Sequence, residues 1–429
     1  MFGDKKEIKE NWSILLMAFV LIFCAFGIPT YSLPYMYTPA MEEFGWSNSE
    51  VQLLSSAKFI VGAVAALGMG ILVDLIGGKL AVLIGTVSGG IALSMFLFAT
   101  NLPVYYLAGG LLGLSASSIV AAMKVVVSRL FTIHQGAAMG VVLSGTSFGG
   151  VVMPLVWEPL LSSGMNWRVI AAIMSLGAFL IATPLWLIYM ARTGAVQARV
   201  RASAVKEAGK PGMWQHFLEI SKERGFWCIA IGIFLVSAVD QALMQNYVNF
   251  LRTDKGIVLS TIAWAGSFMA VMGVVAKVGS GWFYDRFSIP GIRFTYALLG
   301  ISVLLGLPVA GVATLFLFLS VRGIAHGGMI VEAPVITKHY LGPHNMGMTI
   351  GVISVFINLG FAVGPPVLGW FADYFGTYQV GFMVYGGIAF LGALLLVPIK
   401  PRYWIPPSKR RELEQEQEVG VATLRPANA

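Results

Sequence analysis

Twelve runs of about twenty apolar residues, most of them separated by only a few polar ones, dominate this 429-residue chain. A run of that length crosses the hydrocarbon of a bilayer as a helix. Inside lipid no water is available to the backbone, so such a chain must satisfy its N–H and C=O groups within helices. The runs cover residues 12–36, 50–73, 80–100, 103–130, 137–161, 168–191, 225–250, 258–284, 291–310, 312–338, 346–370 and 378–398. Charged residues make up 11% of the chain and hydrophobic ones 57%, whereas a soluble domain carries about 25% charged residues. The expectation is an all-α membrane protein with twelve transmembrane helices. Fifty glycines suit helices that pack closely in lipid. The first run is too long for the apolar core of a cleavable signal.

The net charge is +8, but the basic residues sit in loops and tails beside the apolar runs. There they set topology and do not signal nucleic acid. Lys5, Lys6, Lys9, Lys79, Arg129, Arg286, Lys338, Lys400, Arg402, Lys409, Arg410 and Arg411 collect on one side with the long connection after the sixth run. Glu42, Glu43, Arg168, Arg252, Asp254, Lys255 and Asp373 fall on the other. Both termini are therefore expected in the cytoplasm. In the long connection, Pro211 to Glu223 can form an amphipathic surface helix with Trp214, Phe217, Leu218 and Ile220 inward. Cys24 and Cys228 give neither a disulfide framework nor a metal spacing, and no cofactor or metal is expected. There is no phosphate-binding loop and no loop long enough for a catalytic domain. An enzyme is the least favoured class, and any transport must draw on a gradient.

The chain also repeats itself. Gly70-Ile-Leu-Val-Asp74, after the second run, matches Gly281-Trp-Phe-Tyr-Asp285, after the eighth, at an offset of 211 residues. The same offset takes Gly136 to Gly347, Gly140 to Gly351, Gly149 to Gly360 and Pro154 to Pro365. Two parallel six-helix halves related by an axis along the membrane normal explain this, and in that arrangement the binding site lies at their interface near the midplane. The division reads as an N-terminal half (1–191), a cytoplasmic linker (192–224), a C-terminal half (225–400) and a cytoplasmic tail (401–429).

Ionisable residues within apolar runs are functional candidates, because a charge at the centre of a bilayer costs roughly 3 kcal/mol on insertion scales. Lys277 precedes Asp285 by eight residues, about 12 Å along a helix, so it lies inside the hydrocarbon with Asp285 at its edge. Lys58, Lys124 and Arg322 are the other intramembrane cations; Asp240 and Glu332 are the anions, and His326 titrates near neutrality. Arg322 and His326, four apart, share a helix face. The excess of positive charge points to a cavity for an organic anion, with Lys277, Lys124 and Arg322 as donors. Asp240, His326 and Glu332 are the groups able to carry a proton. For Asp240 a structural pairing with Arg322, Gln241 or Gln245 stands beside the proton role. For Lys124 a structural pairing with Glu332 does the same. Tyr31 and Tyr35 share a face of the first run and are placed to orient a carboxylate, as is Asn358 in the eleventh.

Gly70-x3-Asp74-x2-Gly77-Gly78-Lys79 resembles the loop motif between the second and third helices of the major facilitator superfamily, with Leu75 at a position that is usually basic. Gly281, Asp285 and Arg286 echo it. The resemblance implies the major facilitator fold and a gating role for Gly70, Asp74, Lys79, Asp285 and Arg286. Within that superfamily the chain resembles the monocarboxylate-porter and oxalate/formate-antiporter group. The likeness rests on Gly27-x3-Tyr31-Ser32, on Phe44-Gly45-Trp46-Ser47, on Gly327-Gly328 with Pro334, and on Gly347, Gly351 and Gly360. Lys277 falls where that group has a substrate-binding arginine, and no lysine lies near Asn358, which argues against a strict oxalate exchanger.

The expected function is therefore secondary active transport of a small organic anion, a mono- or dicarboxylate, across the cytoplasmic (inner) membrane by alternating access. Protons are the expected coupling ion, the lipid bilayer the surroundings, and a monomer the functional unit. Anion exchange, efflux of an amphipathic compound, and a non-transporting membrane sensor are the alternatives the sequence leaves open.

Overall fold

The computed structural model describes residues 6–76, 78–130, 135–188, 213–341 and 346–403. Among them the chain is helical throughout, with no strand. The first apolar run continues past residue 36. Helix α1 (Lys6–Ile22) passes through a π-turn, Phe23–Gly27, into α2 (Ile28–Phe44). Pro34 and Pro39 lie inside α2 without ending it, as membrane helices allow when neighbouring groups take up the freed carbonyls. The helix stops at Gly45, whose φ of 70° suits a residue without a Cβ.

Helix α3 (Asn48–Ile76) begins with a complete N-terminal cap. Ser47 N–H donates to Glu50 Oε2 at 2.8 Å, and Glu50 N–H returns to Ser47 Oγ at 3.3 Å, the reciprocal bonding that an S-x-x-E sequence encodes. After it come α4 (Gly78–Met95), α5 (Leu102–Leu130), α6 (Gln135–Ser162) and α7 (Trp167–Leu176). Beyond residue 212 lie α8 (Met213–Ile220), α9 (Arg224–Thr253), α10 (Leu259–Leu305), α11 (Val312–Ile336), α12 (Met346–Phe375) and α13 (Gln379–Leu395). Nine helical stretches among the described residues are long and apolar enough to cross a bilayer, and the apolar α13 is shorter.

At 1.5 Å per residue, α10 would measure about 70 Å if straight, more than twice the roughly 30 Å of bilayer hydrocarbon. It is broken at Ser288, where φ is 51° and ψ −133°. The break falls between the runs 258–284 and 291–310 that the hydropathy pattern separates. A non-glycine residue in that region stores on the order of 1–3 kcal/mol of strain. The Ser288 hydroxyl hydrogen-bonds His339 Nδ1 at 3.0 Å, fixing the break against the end of α11. Pro290 follows it inside the element.

Residues before 189 meet residues after 212 along a polar seam at one end of the bundle. Tyr37 donates to Gln245 Oε1 at 3.0 Å, and the Tyr35 and Tyr247 hydroxyls are 3.2 Å apart. Thr38 donates to Asn249, and the Gln52 and Asn246 amides pair reciprocally. Ser56 Oγ donates to the Ala362 carbonyl at 2.5 Å. Asp373, at the end of α12, accepts the backbone N–H groups of Asn48 and Ser49 at 2.8 Å each and Asn48 Nδ2 at 2.9 Å. A carboxylate from α12 thus caps the N-terminus of α3, where the helix dipole favours negative charge.

The amphipathic segment is shorter than expected and rotated. In α8, Phe217 and Ile220 pack on Phe226 and Val352, but Leu218 points away, 45% exposed. Residues three apart share a helix face, whereas a residue next to one of them is turned by about 100°. The expected position of Trp214 falls on a side chain outside the described ones.

Ser288 gives a test in detergent. Ser288→Ala keeps the strained backbone and loses the bond to His339, and its thermal midpoint should drop by the equivalent of about 1 kcal/mol. Ser288→Gly loses the same bond but relaxes the backbone, so its midpoint should lie above that of the alanine variant. Equal midpoints for the two variants would show that the break carries no strain.

Candidate functional site

Helices α9, α10 and α11 bring the intramembrane charges together. Two glycines of α11 set the approach. A Cβ at Gly323 would lie 2.2 Å from the Met269 carbonyl oxygen, and one at Gly327 would lie 2.4 Å from that of Gly273 and 3.0 Å from Lys277 N. Any side chain there would drive α10 and α11 apart. This contact sets Lys277 beside the face of α11 that carries His326.

Asp240 is the hub, 1% exposed near the middle of α9. Arg322 Nη2 reaches Asp240 Oδ1 at 2.8 Å and donates to the Asp240 backbone carbonyl at 2.7 Å. His326 Nδ1 lies 3.0 and 3.1 Å from the two carboxylate oxygens. The four-residue spacing places both basic groups on one carboxylate, as the shared face requires. Arg322, also 1% exposed, keeps Nε and Nη1 without a partner among the described residues. Lys277 is within the electrostatic reach of Asp240, but among the described residues no carboxylate lies within ion-pair distance of its ammonium. It donates instead to Ser147 Oγ on α6. Tyr31 packs against Gly150 of α6 and interacts electrostatically with Asp240 and Arg322.

Other candidates lie elsewhere. Glu332 is buried beside Tyr296, and its Oε2 and the Tyr296 hydroxyl lack a hydrogen bond of ordinary geometry. The nearby Tyr284 hydroxyl pairs with Thr295 at 2.8 Å. Asn358 donates to its own helix, to the Ser354 carbonyl at 2.7 Å. Tyr35 joins the polar seam through Tyr247. Asp285 and Arg286 are exposed at the end of the α10 segment before Ser288. The side chains of Lys124, Asp74 and Lys79, and the surroundings of Gly70, lie outside the described residues.

Three features escape a reading of charges alone. Lys58, 2% exposed, donates to Thr30 and lies 5.1 and 5.3 Å from the Phe26 and Phe59 ring centroids, a cation held by a hydroxyl and two rings. Ser147 has no sequence signal that separates it from its neighbours. The amide seam is legible in hindsight: Gln241, Gln245 and Asn249 recur every four residues, with Asn246 beside them.

The comparisons with known proteins agree with this architecture. The family model of the Major Facilitator Superfamily matches residues 14–307 and 229–427, and the chain belongs to that superfamily. It is therefore a multi-pass membrane protein of a transporter family. MFS-type transporter 1 of Ophiocordyceps sp. (strain BCC 1869) is 24% identical over 395 residues, covering 90% of this chain and 84% of that one. Monocarboxylate transporter 13 of Rattus norvegicus is 23% identical over 394 residues, covering 91% and 89%. A crystal structure of a mutant of the nucleoside transporter NupG superposes with a TM-score of 0.76 at 14% identity, covering 90% of this chain and all of that one. The likeness to that structure is one of fold.

The hub makes a stability prediction. Arg322→Met leaves Asp240 buried with no permanent cation in contact, and should destabilise the protein by about 3–5 kcal/mol in detergent. Asp240→Asn combined with Arg322→Met removes both charges and should recover most of that loss, measured as thermal midpoints. A double variant as unstable as the single one would show that the pair is not what holds α9 to α11.

Proposed function

We propose that this protein is a proton-coupled carrier of a small organic anion, a mono- or dicarboxylate, and not an enzyme. In this reading twelve helices form two six-helix halves, 1–191 and 225–400, joined by a cytoplasmic linker and followed by a cytoplasmic tail. Both termini are cytoplasmic, the membrane is the cytoplasmic one, and the monomer transports by alternating access. In this reading the polar seam closes the outer end of the bundle, with Gly70, Asp74, Lys79, Asp285 and Arg286 at the cytoplasmic gate.

The observation that carries the reading is the charge balance around Asp240. One carboxylate is shared by Arg322 and His326, while Lys277 has none among the described residues. With His326 neutral, these groups sum to one excess positive charge, which suits an entering carboxylate. Lys277 binds it, with Tyr31 and Arg322 as nearby donors; Lys124, Tyr35 and Asn358 are assigned to the walls of the translocation path. An anion near His326 stabilises the imidazolium, so substrate and proton favour each other's binding. His326 on Asp240 is the coupling pair, with Glu332 as a further proton acceptor in the same half. The relative named a monocarboxylate transporter supports the same substrate class.

Uptake of a labelled panel (lactate, pyruvate, acetate, oxalate and succinate) into proteoliposomes tests this. Wild type should accumulate at least one acid when an inward proton gradient is imposed. Lys277→Ala should reduce that uptake by two orders of magnitude or more, because the binding cation is lost. His326→Gln should retain exchange of internal for external acid but lose accumulation driven by the gradient. Full uptake by Lys277→Ala together with loss in Asp240→Asn would overturn the assignment of Lys277 and favour efflux of an amphipathic compound.

A further inference from the structure

We propose that Ser147 supplies the second hydrogen-bond donor of the carboxylate site, completing with Lys277 the two-pronged contact that an arginine would make alone. This rests on the carrier reading above and adds to it a binding residue from the N-terminal part of the chain.

The argument begins with what a lysine lacks. A guanidinium offers two parallel N–H groups that match the two oxygens of a carboxylate, whereas an ammonium is a compact point charge. A carboxylate on Lys277 alone would be held by one oxygen and free to rotate. Ser147 Oγ lies within hydrogen-bonding distance of Lys277 Nζ and accepts from it. The serine's own proton has no acceptor among the described residues. Its neighbours on α6 behave differently: Ser144 donates to the Val141 carbonyl at 2.6 Å and Thr146 to the Leu143 carbonyl at 2.7 Å. Those two hydroxyls are occupied within their own helix, and Ser147 alone of the three is turned towards α10. Without substrate it holds the ammonium. With substrate, Lys277 Nζ donates to one carboxylate oxygen and Ser147 Oγ to the other.

The surroundings support a fixed geometry. One turn further along α6, Ser267 Oγ of α10 donates to the Val151 carbonyl at 2.9 Å. A Cβ at Gly150 would lie 2.8 Å from the Ala270 Cβ and 2.6 Å from the Tyr31 ring. The two helices are therefore registered against each other next to the pair. Ser147 is 3% exposed and Lys277 only half-buried, so the ammonium is reachable while the serine is held. The two donors also lie on helices from opposite parts of the chain. A carboxylate bridging them would replace the direct contact between α6 and α10 with one through the cargo, and this is how cargo would bias one conformation over another.

The experiment is a set of variants in proteoliposomes, using the acid of the panel that wild type accumulates best. Ser147→Ala should raise KM about tenfold, the loss of one hydrogen bond to a charged group, with the maximal rate little changed. Ser147→Thr keeps the hydroxyl and should stay within about threefold of wild type. The decisive arm is rescue. In a Lys277→Arg background the guanidinium supplies both donors, so adding Ser147→Ala should change KM less than twofold. An equal penalty in the lysine and arginine backgrounds would overturn the proposal and make Ser147 a packing contact. A KM for Ser147→Ala within twofold of wild type would overturn it as well. If Ser147→Ala fails to fold, as judged by its thermal midpoint, Ser147→Cys with its weak donor replaces it, under the same expectations. A wild type that takes up none of the acids sinks the carboxylate reading itself, and this inference falls with it. Uptake that is intact and indifferent to Ser147 sinks the inference alone.

Discussion

A charge at the centre of a bilayer must be paired, and the centre of this structure is organised by that demand. Asp240 is 1% exposed, and Arg322 and His326 lie on it at hydrogen-bonding distance. Arg322 answers with one nitrogen for both the carboxylate and the carbonyl of the same residue. This ties side chain and backbone of α9 to α11 at a single point. The pair is expensive to break and gives α9 and α11 a defined register. Buried ion pairs are weak evidence for net stability but good devices for specifying geometry.

Close helix packing determines which charges share that centre. In lipid there is no hydrophobic gain from bringing helices together, so small residues at the interface do the work. Gly323 and Gly327 let α11 touch the backbone of α10, and Lys277 is thereby set next to a cluster it does not join by contact. The result is uneven. Asp240 has two basic partners, and Lys277 has a hydroxyl. The anion-binding centre proposed above rests on that unevenness more than on the number of charges.

The seam at one end of the bundle combines two kinds of contact. At the seam, amides, hydroxyls, the Asp373 carboxylate and an Arg252–Glu42 ion pair at 3.5 Å link residues 35–56 to residues 245–378. Most of these bonds are neutral and individually modest, which suits the alternating access proposed above. The Asp373 cap is stronger, because it places a full charge on two unsatisfied N–H groups at the start of α3. It is a contact that α3 cannot make for itself, since its own capping box uses Ser47 and Glu50.

The sequence by itself determined the class of protein, the helices and the inventory of intramembrane charges, because burial in lipid leaves few ways to satisfy a backbone and none to hide an ion cheaply. It also determined the likeness of Arg322 and His326, since a spacing of four fixes a common face. It misjudged where the first run stops, because α2 continues through two prolines to Phe44, but it separated the eighth and ninth runs where the strained Ser288 breaks the helix. What only the tertiary structure decided is partnership. That Asp240 takes Arg322 and His326 while Glu332 settles beside Tyr296, that Lys58 rests on Thr30, and that Lys277 meets Ser147 all depend on the rotation and approach of helices far apart in the chain. A helix turns by about 100° per residue, and a periodic pattern gives the face a side chain occupies without saying which neighbour stands opposite.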